Sequence, residues 1–342
     1  MEVEDSMIDS SALVRDFLYQ AGVTERLAED DVTEVIINRP GEIWTEKNGR
    51  WKKDEVPYLD FDFCMKLANS LCAYNNRYLS IQSPIKTVEL PNGERGQIVI
   101  PPACERNTVS ITIRKPSTDR FSLNNYISSG RMANVKAVST SKRSLLEWQS
   151  LMIDSHRQKD WAEFFKLAIE HKQNIIVFGG PGSGKTTFTK ALVDLYPSER
   201  RMITIEEIRE LSLPNHPNRV HLIYGDIVKP KELVASVLRM KPDHLFIAEL
   251  TGDEAWHYLE ILNTGNPGSI TTAHANDSVA GFARIAGLIK QSEVGKTLSY
   301  EYIDRVVRSS FDVVIYMENK ELLEVHYEPQ FKLDLLNGNA GD

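Results

Sequence analysis

Leu13, Val14, Phe17 and Leu18 recur at helical spacing near the start of the chain, which predicts an amphipathic helix. β-type runs follow. Val32–Asn38 is the first, and Ile43–Glu46 and Arg50–Lys52 flank Asn48-Gly49, a hairpin signal because both turn residues tolerate positive φ. Phe61, Cys64, Leu67, Ala68, Leu71 and Cys72 lie on one face of a helix predicted over Asp60–Asn75. Ile85–Leu90 and Gln97–Ile100 flank the turn Pro91-Asn92-Gly93, and Val109–Arg114 alternates as a strand does. Together these elements predict a small α+β domain over residues 1–128.

The pattern then changes. Ser128-Ser129-Gly130 and Ser139-Thr140-Ser141 surround Arg131, Lys136, Lys142 and Arg143, with no acid between. A polar, basic stretch with little periodicity reads as a linker over 129–143. From Leu145 helices alternate with short apolar strands such as Asn174–Phe178, Met202–Ile205 and Leu245–Ile247. That alternation predicts an α/β domain over 144–342 with a largely parallel sheet.

Composition narrows the class. Lys and Arg number 40 against 48 Asp and Glu, a formal net charge of −8, which argues against coating nucleic acid through global charge. No apolar run approaches the ~18 residues of a membrane-spanning helix. Acids dominate the N-terminus (Glu2, Glu4, Asp5, Asp9), the wrong sign for a targeting segment. Cys64, Cys72 and Cys104 show no metal-ligand pairing, which fits a reducing compartment. The expectation is a soluble cytoplasmic protein.

The most specific chemistry lies in Gly179-Gly180-Pro181-Gly182-Ser183-Gly184-Lys185-Thr186, followed by Thr187. It fits G-x-x-x-x-G-K-[ST], between a predicted strand and a predicted helix at Phe188–Leu195. Glycines let such a loop wrap a phosphate chain with its N–H groups inward, and the helix N-terminus adds positive potential. The Lys185 ammonium reaches the β- and γ-phosphates, and the Thr186 hydroxyl is a Mg²⁺ ligand candidate. The loop predicts a nucleoside-triphosphate site. The guanine-reading pattern N-K-x-D is absent, so nothing favours GTP.

Met202–Ile205 runs into Glu206-Glu207-Ile208-Arg209-Glu210, and Leu245-Phe246-Ile247-Ala248 into Glu249. Acids at the C-terminal ends of strands beside a phosphate loop can orient a metal or an attacking water. Taken one at a time, the acids of Glu206–Glu210 read better as a solvated turn, whereas the apolar run ending in Glu249 has the form of a Walker B strand. In the third segment, Gly268–Asn276, His274 is either a γ-phosphate sensor or a structural residue on spacing alone. His156, His171, His216, His221, His244, His257 and His326 form no metal-ligand pattern and read as structural.

These four segments, in this order, resemble the secretion-ATPase superfamily: a Walker A loop, an acidic "Asp box", a Walker B strand ending in Glu, and a "His box". Within it, Leu90–Arg95 and Ile111–Ser117 are similar to the hexameric traffic ATPases of type IV secretion and plasmid conjugation. Three scattered cysteines cannot build the four-cysteine zinc module usual in type II secretion ATPases, and pilus ATPases are the alternative. The resemblance implies a RecA-like P-loop NTPase C-terminal domain behind the smaller α+β domain, and a homo-hexameric ring. It implies ATP hydrolysis with Mg²⁺, powering secretion, conjugative DNA transfer and pilus biogenesis. By position, Lys185 and Thr186 match the phosphate and metal residues. Glu210, with Glu206 and Glu207, matches the water-orienting Asp box; Glu249, also a metal candidate, matches Walker B, and His274 the His box. Arginines of the N-terminal domain reach the phosphates in such proteins; Arg114 and Arg131 are candidates, with Arg95 and Arg106 competing. Relatives often carry Arg just after the Walker B Glu, where this chain has Leu250-Thr251-Gly252; Arg239 is a substitute candidate.

Implied partners are other type IV secretion components, the coupling protein and inner-membrane complex among them. The family also leaves open a scaffold or switch that binds ATP with little turnover, and a small-molecule kinase lacks any acceptor or lid signature. Direct nucleic-acid binding is unsupported, for no aromatic–basic interleaving is visible. The acidic N-terminus is repelled by anionic lipid, so a peripheral inner-membrane contact falls to Arg131–Arg143, which reads equally as a solvated linker.

Overall fold

The computed structural model describes residues 10–116, 122–137 and 144–337. The acidic residues 1–9 and the basic 138–143, with Lys142 and Arg143, lie outside the described residues. In chain order the first elements are α1 (Ser10–Gln20), α2 (Val23–Ala28), β1 (Val32–Ile37), β2 (Glu42–Lys47), β3 (Arg50–Glu55), α3 (Phe61–Tyr74), β4 (Ile85–Glu89), β5 (Arg95–Val99) and β6 (Ser110–Arg114). Then come α4 (Leu123–Ser128), α5 (Glu147–Gln158), α6 (Trp161–Glu170), β7 (Ile175–Gly179), α7 (Lys185–Val193), β8 (Met202–Glu206), β9 (Arg219–Ile223), α8 (Pro230–Val237) and β10 (His244–Ile247). The last are α9 (Glu254–Asn263), β11 (Ile270–Ala273), α10 (Ser278–Gln291), α11 (Glu293–Lys296), α12 (Tyr300–Ser310), β12 (Val313–Glu318), β13 (Glu321–His326) and α13 (Pro329–Asn337). Residues 129–137 carry neither helix nor strand. No described helix is long and apolar enough to cross a membrane.

Contacts divide the chain into two units, one of residues 1–116 with 197–248 and one of 117–196 with 249–342. In the first unit six strands pair antiparallel in the order β3-β2-β1-β6-β5-β4. The β2–β3 hairpin turns on Asn48 (φ 52°) and Gly49 (φ 76°), as its Asn-Gly pair predicted. Asp60 caps α3 by accepting the Phe63 N–H at 2.7 Å, and the apolar face of α3 then packs Leu67 and Leu71 among Val14, Ile98, Ile111 and Ile113.

The sequence pattern did not reveal the other face of β1. Val35 and Ile37 face the helices, while Glu34, Ile36 and Asn38 are buried on the opposite side. There Arg201, fully buried, donates from Nη1 to Asn38 Oδ1 (2.6 Å) and Asn218 Oδ1 (2.7 Å), and from Nε to the Met240 carbonyl (2.8 Å). Gln97 donates to Ser236 Oγ at 2.8 Å on the same side. The parallel strands β10-β8-β9 belong to this unit.

Burial pushes the Glu34 carboxyl up to about 7, against the pull of Lys241, Arg114 and Arg201. A carboxyl that holds its proton more tightly folded than unfolded stabilises below the unfolded value near 4.5, and that contribution fades as pH rises through 7. The melting temperature should therefore fall between pH 5 and 8, by the equivalent of about 3 kcal/mol at most, and Glu34→Gln should flatten that slope. An unchanged slope in the variant, read by thermal denaturation, would remove Glu34 as its source.

In the second unit the strands run β13-β12-β7-β11, with β7 parallel to both β11 and β12 and buried along its whole length. A strand flanked on both edges and covered on both faces requires the continuous apolar run Ile175–Phe178.

Candidate nucleotide-binding site

The phosphate loop starts where β7 ends. A Cβ at Gly179 would collide with the Met317 carbonyl oxygen and the Ser183 side chain, so only glycine fits this close approach. Gly184 (φ 96°) then turns the chain into α7, presenting the helix N-terminus to the loop. Ser183 Oγ is buried with no hydrogen-bond partner among the described residues. Gly180, Pro181, Gly182 and Thr187 are exposed, and Thr186 is half-buried in the first turn of α7. This cradle of backbone N–H groups, glycines and a spare hydroxyl suits a phosphate chain.

Lys185 is only 8% exposed. Its ammonium donates to the carbonyls of Gly179 (2.8 Å) and Gly180 (2.9 Å) and lies 3.4 Å from His274 Nδ1. Burial lowers its pKa, and the Glu249 carboxylate partly offsets that.

Parallel register brings His274 here. Ala273 pairs with Phe178, so the next residues, His274 and Gly179, emerge at one level, and His274 Nδ1 sits 2.9 Å from the Gly179 carbonyl. The Leu250 N–H donates to Thr272 O at 2.8 Å, which anchors Glu249 beside the same strand end. Glu249 Oε1 lies 2.9 Å from His274 Nε2. Lys185, the loop carbonyls, His274 and Glu249 thus form one connected polar chain.

The donor set also suits Mg²⁺. Among the described residues no three His, Cys, Asp or Glu cluster to hold a metal alone. A hydroxyl at Thr186 and a carboxylate at Glu249 match an ion that takes few protein ligands and fills its shell with phosphate oxygens and water.

The other predicted residues are placed as follows. Arg131, in the second unit, is exposed with its guanidinium carbon 5.7 Å from the Tyr126 ring centroid. Thr251 and Gly252 donate their N–H groups to Glu254 Oε1 at 2.6 and 2.9 Å, so the first residue of α9 ties this stretch down. In the first unit, Arg114 is exposed and 3.7 Å from Glu34, and Arg239, just past α8, turns back to the Ala235 carbonyl in that helix. Glu207 and Glu210 are exposed, Arg209 pairs with Glu105, and Glu206 is buried. The sequence reading missed the inward commitment of Glu206 and its neighbours Thr204 and His221. Polar residues at alternate positions of the otherwise apolar strand Met202–Glu206 were the available signal.

The family model for "Type II/IV secretion system protein" matches residues 18–317. The chain belongs to that family. Among its relatives, the type IV secretion system protein VirB11 of Brucella suis is 37% identical over 321 residues, covering 90% of this chain and 88% of the relative. VirB11 of Bartonella henselae is also 37% identical, covering 92% and 93%, and PtlH of Bordetella pertussis is 34% identical, covering 93% and 94%. The crystal structure of the Brucella suis VirB11 ATPase in complex with sulphate superposes with a TM-score of 0.89 at 37% identity, over 94% of this chain and 99% of that one. This type II/IV secretion protein is therefore α/β in class and VirB11-like in fold, as its four motifs predicted. The pilus and type II alternatives give way to the type IV branch.

Proposed function

We propose that the chain hydrolyses ATP in the loop Gly179–Thr186 and works as a homo-hexameric motor of type IV secretion. The observation that carries this reading is the polar chain Lys185–Gly179–His274–Glu249 within a VirB11-like fold. The loop N–H groups and Lys185 bind the β- and γ-phosphates. Glu249 orients the attacking water, and His274, bonded to both Glu249 and the loop, reports the γ-phosphate to it. Thr186 and Glu249 would hold Mg²⁺, which would supply positive charge to offset that developing on the transferred phosphoryl group. Exposed Arg114 and Arg131 are the proposed arginines for phosphate, and Glu207 and Glu210 the proposed water-orienting acids.

The proposed functional division is an α+β N-terminal domain over 1–128, a hinge over 129–143 and a RecA-like ATPase domain over 144–342. Nucleotide state then biases one domain arrangement over another, which converts hydrolysis into motion. Partners are the coupling protein and inner-membrane complex of the secretion machine, met at the cytoplasmic face of the inner membrane, with peripheral lipid contact through the basic stretch from Arg131.

Sedimentation of the purified chain with and without Mg·ATP tests the ring. The expected result is a hexamer at micromolar concentration. A strict monomer under both conditions would remove the inter-subunit mechanism and favour a nucleotide switch.

A further inference from the structure

The acid-rich loop after β8 is held from inside by its first acid. β8 and β9 pair in parallel with Thr204 opposite His221, and strand alternation puts Thr204 and Glu206 on one side. The Thr204 hydroxyl donates to Glu206 Oε2 at 2.8 Å. Its only hydrogen is thereby spent, so the 2.8 Å contact between Thr204 Oγ1 and His221 Nδ1 requires His221 to donate from Nδ1. His221 Nδ1 itself lies 3.6 Å from Glu206 Oε2. At the other oxygen, Glu206 Oε1 accepts the backbone N–H groups of Glu210 (3.0 Å) and Leu211 (2.8 Å).

Both carboxylate oxygens are therefore occupied, and Glu206 is 1% exposed, leaving no approach for an attacking water. Burial alone would raise its pKa, but the nearby His221 and the bonds from the Leu211 and Glu210 N–H groups and the Thr204 hydroxyl outweigh it and hold the carboxyl below its usual range. Residues 207–210, by contrast, are exposed, and Leu211 is buried again. The loop is a short exposed arch pinned at its far foot by Glu206.

We infer that Glu206 is a positioning residue, set by the Thr204–His221 pair, which fixes the arch that presents Glu207 and Glu210. The three acids thus divide the work: Glu206 orders backbone, and Glu207 and Glu210 face solvent. This rests on the ATPase reading above.

The test compares full-length wild type, Thr204→Val and Thr204→Ser by steady-state ATP hydrolysis and by hydrogen exchange of the Glu210 and Leu211 amides. Thr204→Val keeps the side-chain volume, removes the hydroxyl and touches no exposed acid. It should lower kcat by about 10-fold or more with KM changed less than about threefold. The two amides should exchange at least about 10-fold faster while those of Leu245 and Phe246 are unchanged. Thr204→Ser should restore both readouts to within about twofold of wild type, and adding His221→Leu to Thr204→Val should cost little more, because both act through one carboxylate. Wild-type kcat and amide exchange in Thr204→Val would overturn the inference, as would a Thr204→Ser variant as impaired as Thr204→Val. Should Thr204→Val not fold, Thr204→Ala, which also removes the hydroxyl, takes its place in both measurements with the same outcomes. A wild-type chain without ATP hydrolysis would overturn the ATPase reading instead, and the amide exchange would still judge the arch.

Discussion

Glu249→Gln is expected to bind ATP like the wild type and to turn it over at least about 100-fold more slowly. Glutamine keeps the length of the side chain and one oxygen to accept the His274 Nε2–H bond now made at 2.9 Å, so the loop geometry should survive. What is lost is the negative charge, and with it the ability to draw a proton from, or orient, a water aimed at the γ-phosphate. Binding relies on the loop N–H groups and on Lys185, which keeps its bonds to the Gly179 and Gly180 carbonyls when the Glu249 charge is removed. A fluorescent ATP analogue titrated beside a phosphate-release assay separates the two effects. Near-normal turnover in the variant would sink the assignment of Glu249 as the hydrolytic carboxylate.

Lys185→Ala should fail one step earlier, with hydrolysis lost and nucleotide affinity reduced by at least about 10-fold. The ammonium is the one cation that the described contacts tie to the loop carbonyls, through Gly179 and Gly180. It is buried, so its charge acts on phosphate in a medium that screens it weakly. Alanine also removes the donor that holds the Gly179 and Gly180 carbonyls. Lys185→Arg should not rescue, because a planar fork does not fit a pocket shaped for a compact point charge. Hydrolysis by Lys185→Ala above about a tenth of wild type would place the phosphate-binding cation elsewhere.

The parts of this molecule legible in the sequence are those set by local rules. Glycine spacing located the phosphate loop because a close approach such as that at Gly179 admits no Cβ, and Asn48-Gly49 marked its hairpin for a similar reason. Apolar periodicity found α3 and the buried β7. Four motifs in order also carried the family. What stayed hidden depends on pairing between distant segments. Arg201 reads as a surface residue until Asn38 and Asn218 surround it. Glu206, Glu207 and Glu210 are alike as letters, and only the register of β8 against β9 turns the first inward and leaves the others outside. His274 was ambiguous for the same reason, until the pairing of Ala273 with Phe178 set it beside Gly179.

The doubly buried β1 also bears on how the chain is made. Its helix-facing side can close as soon as residue 116 has been synthesised, but the side carrying Glu34 and Asn38 waits for Asn218, 180 residues later than Asn38. At ~5–20 residues per second the interval from residue 116 to Asn218 lasts roughly 5 to 20 seconds on the ribosome. During it a half-finished sheet shows an apolar and ionisable surface to the cell. Biosynthesis of this protein should therefore be sensitive to translation rate and to chaperones that shield nascent β-sheet, more so than a chain whose N-terminal domain closes on itself.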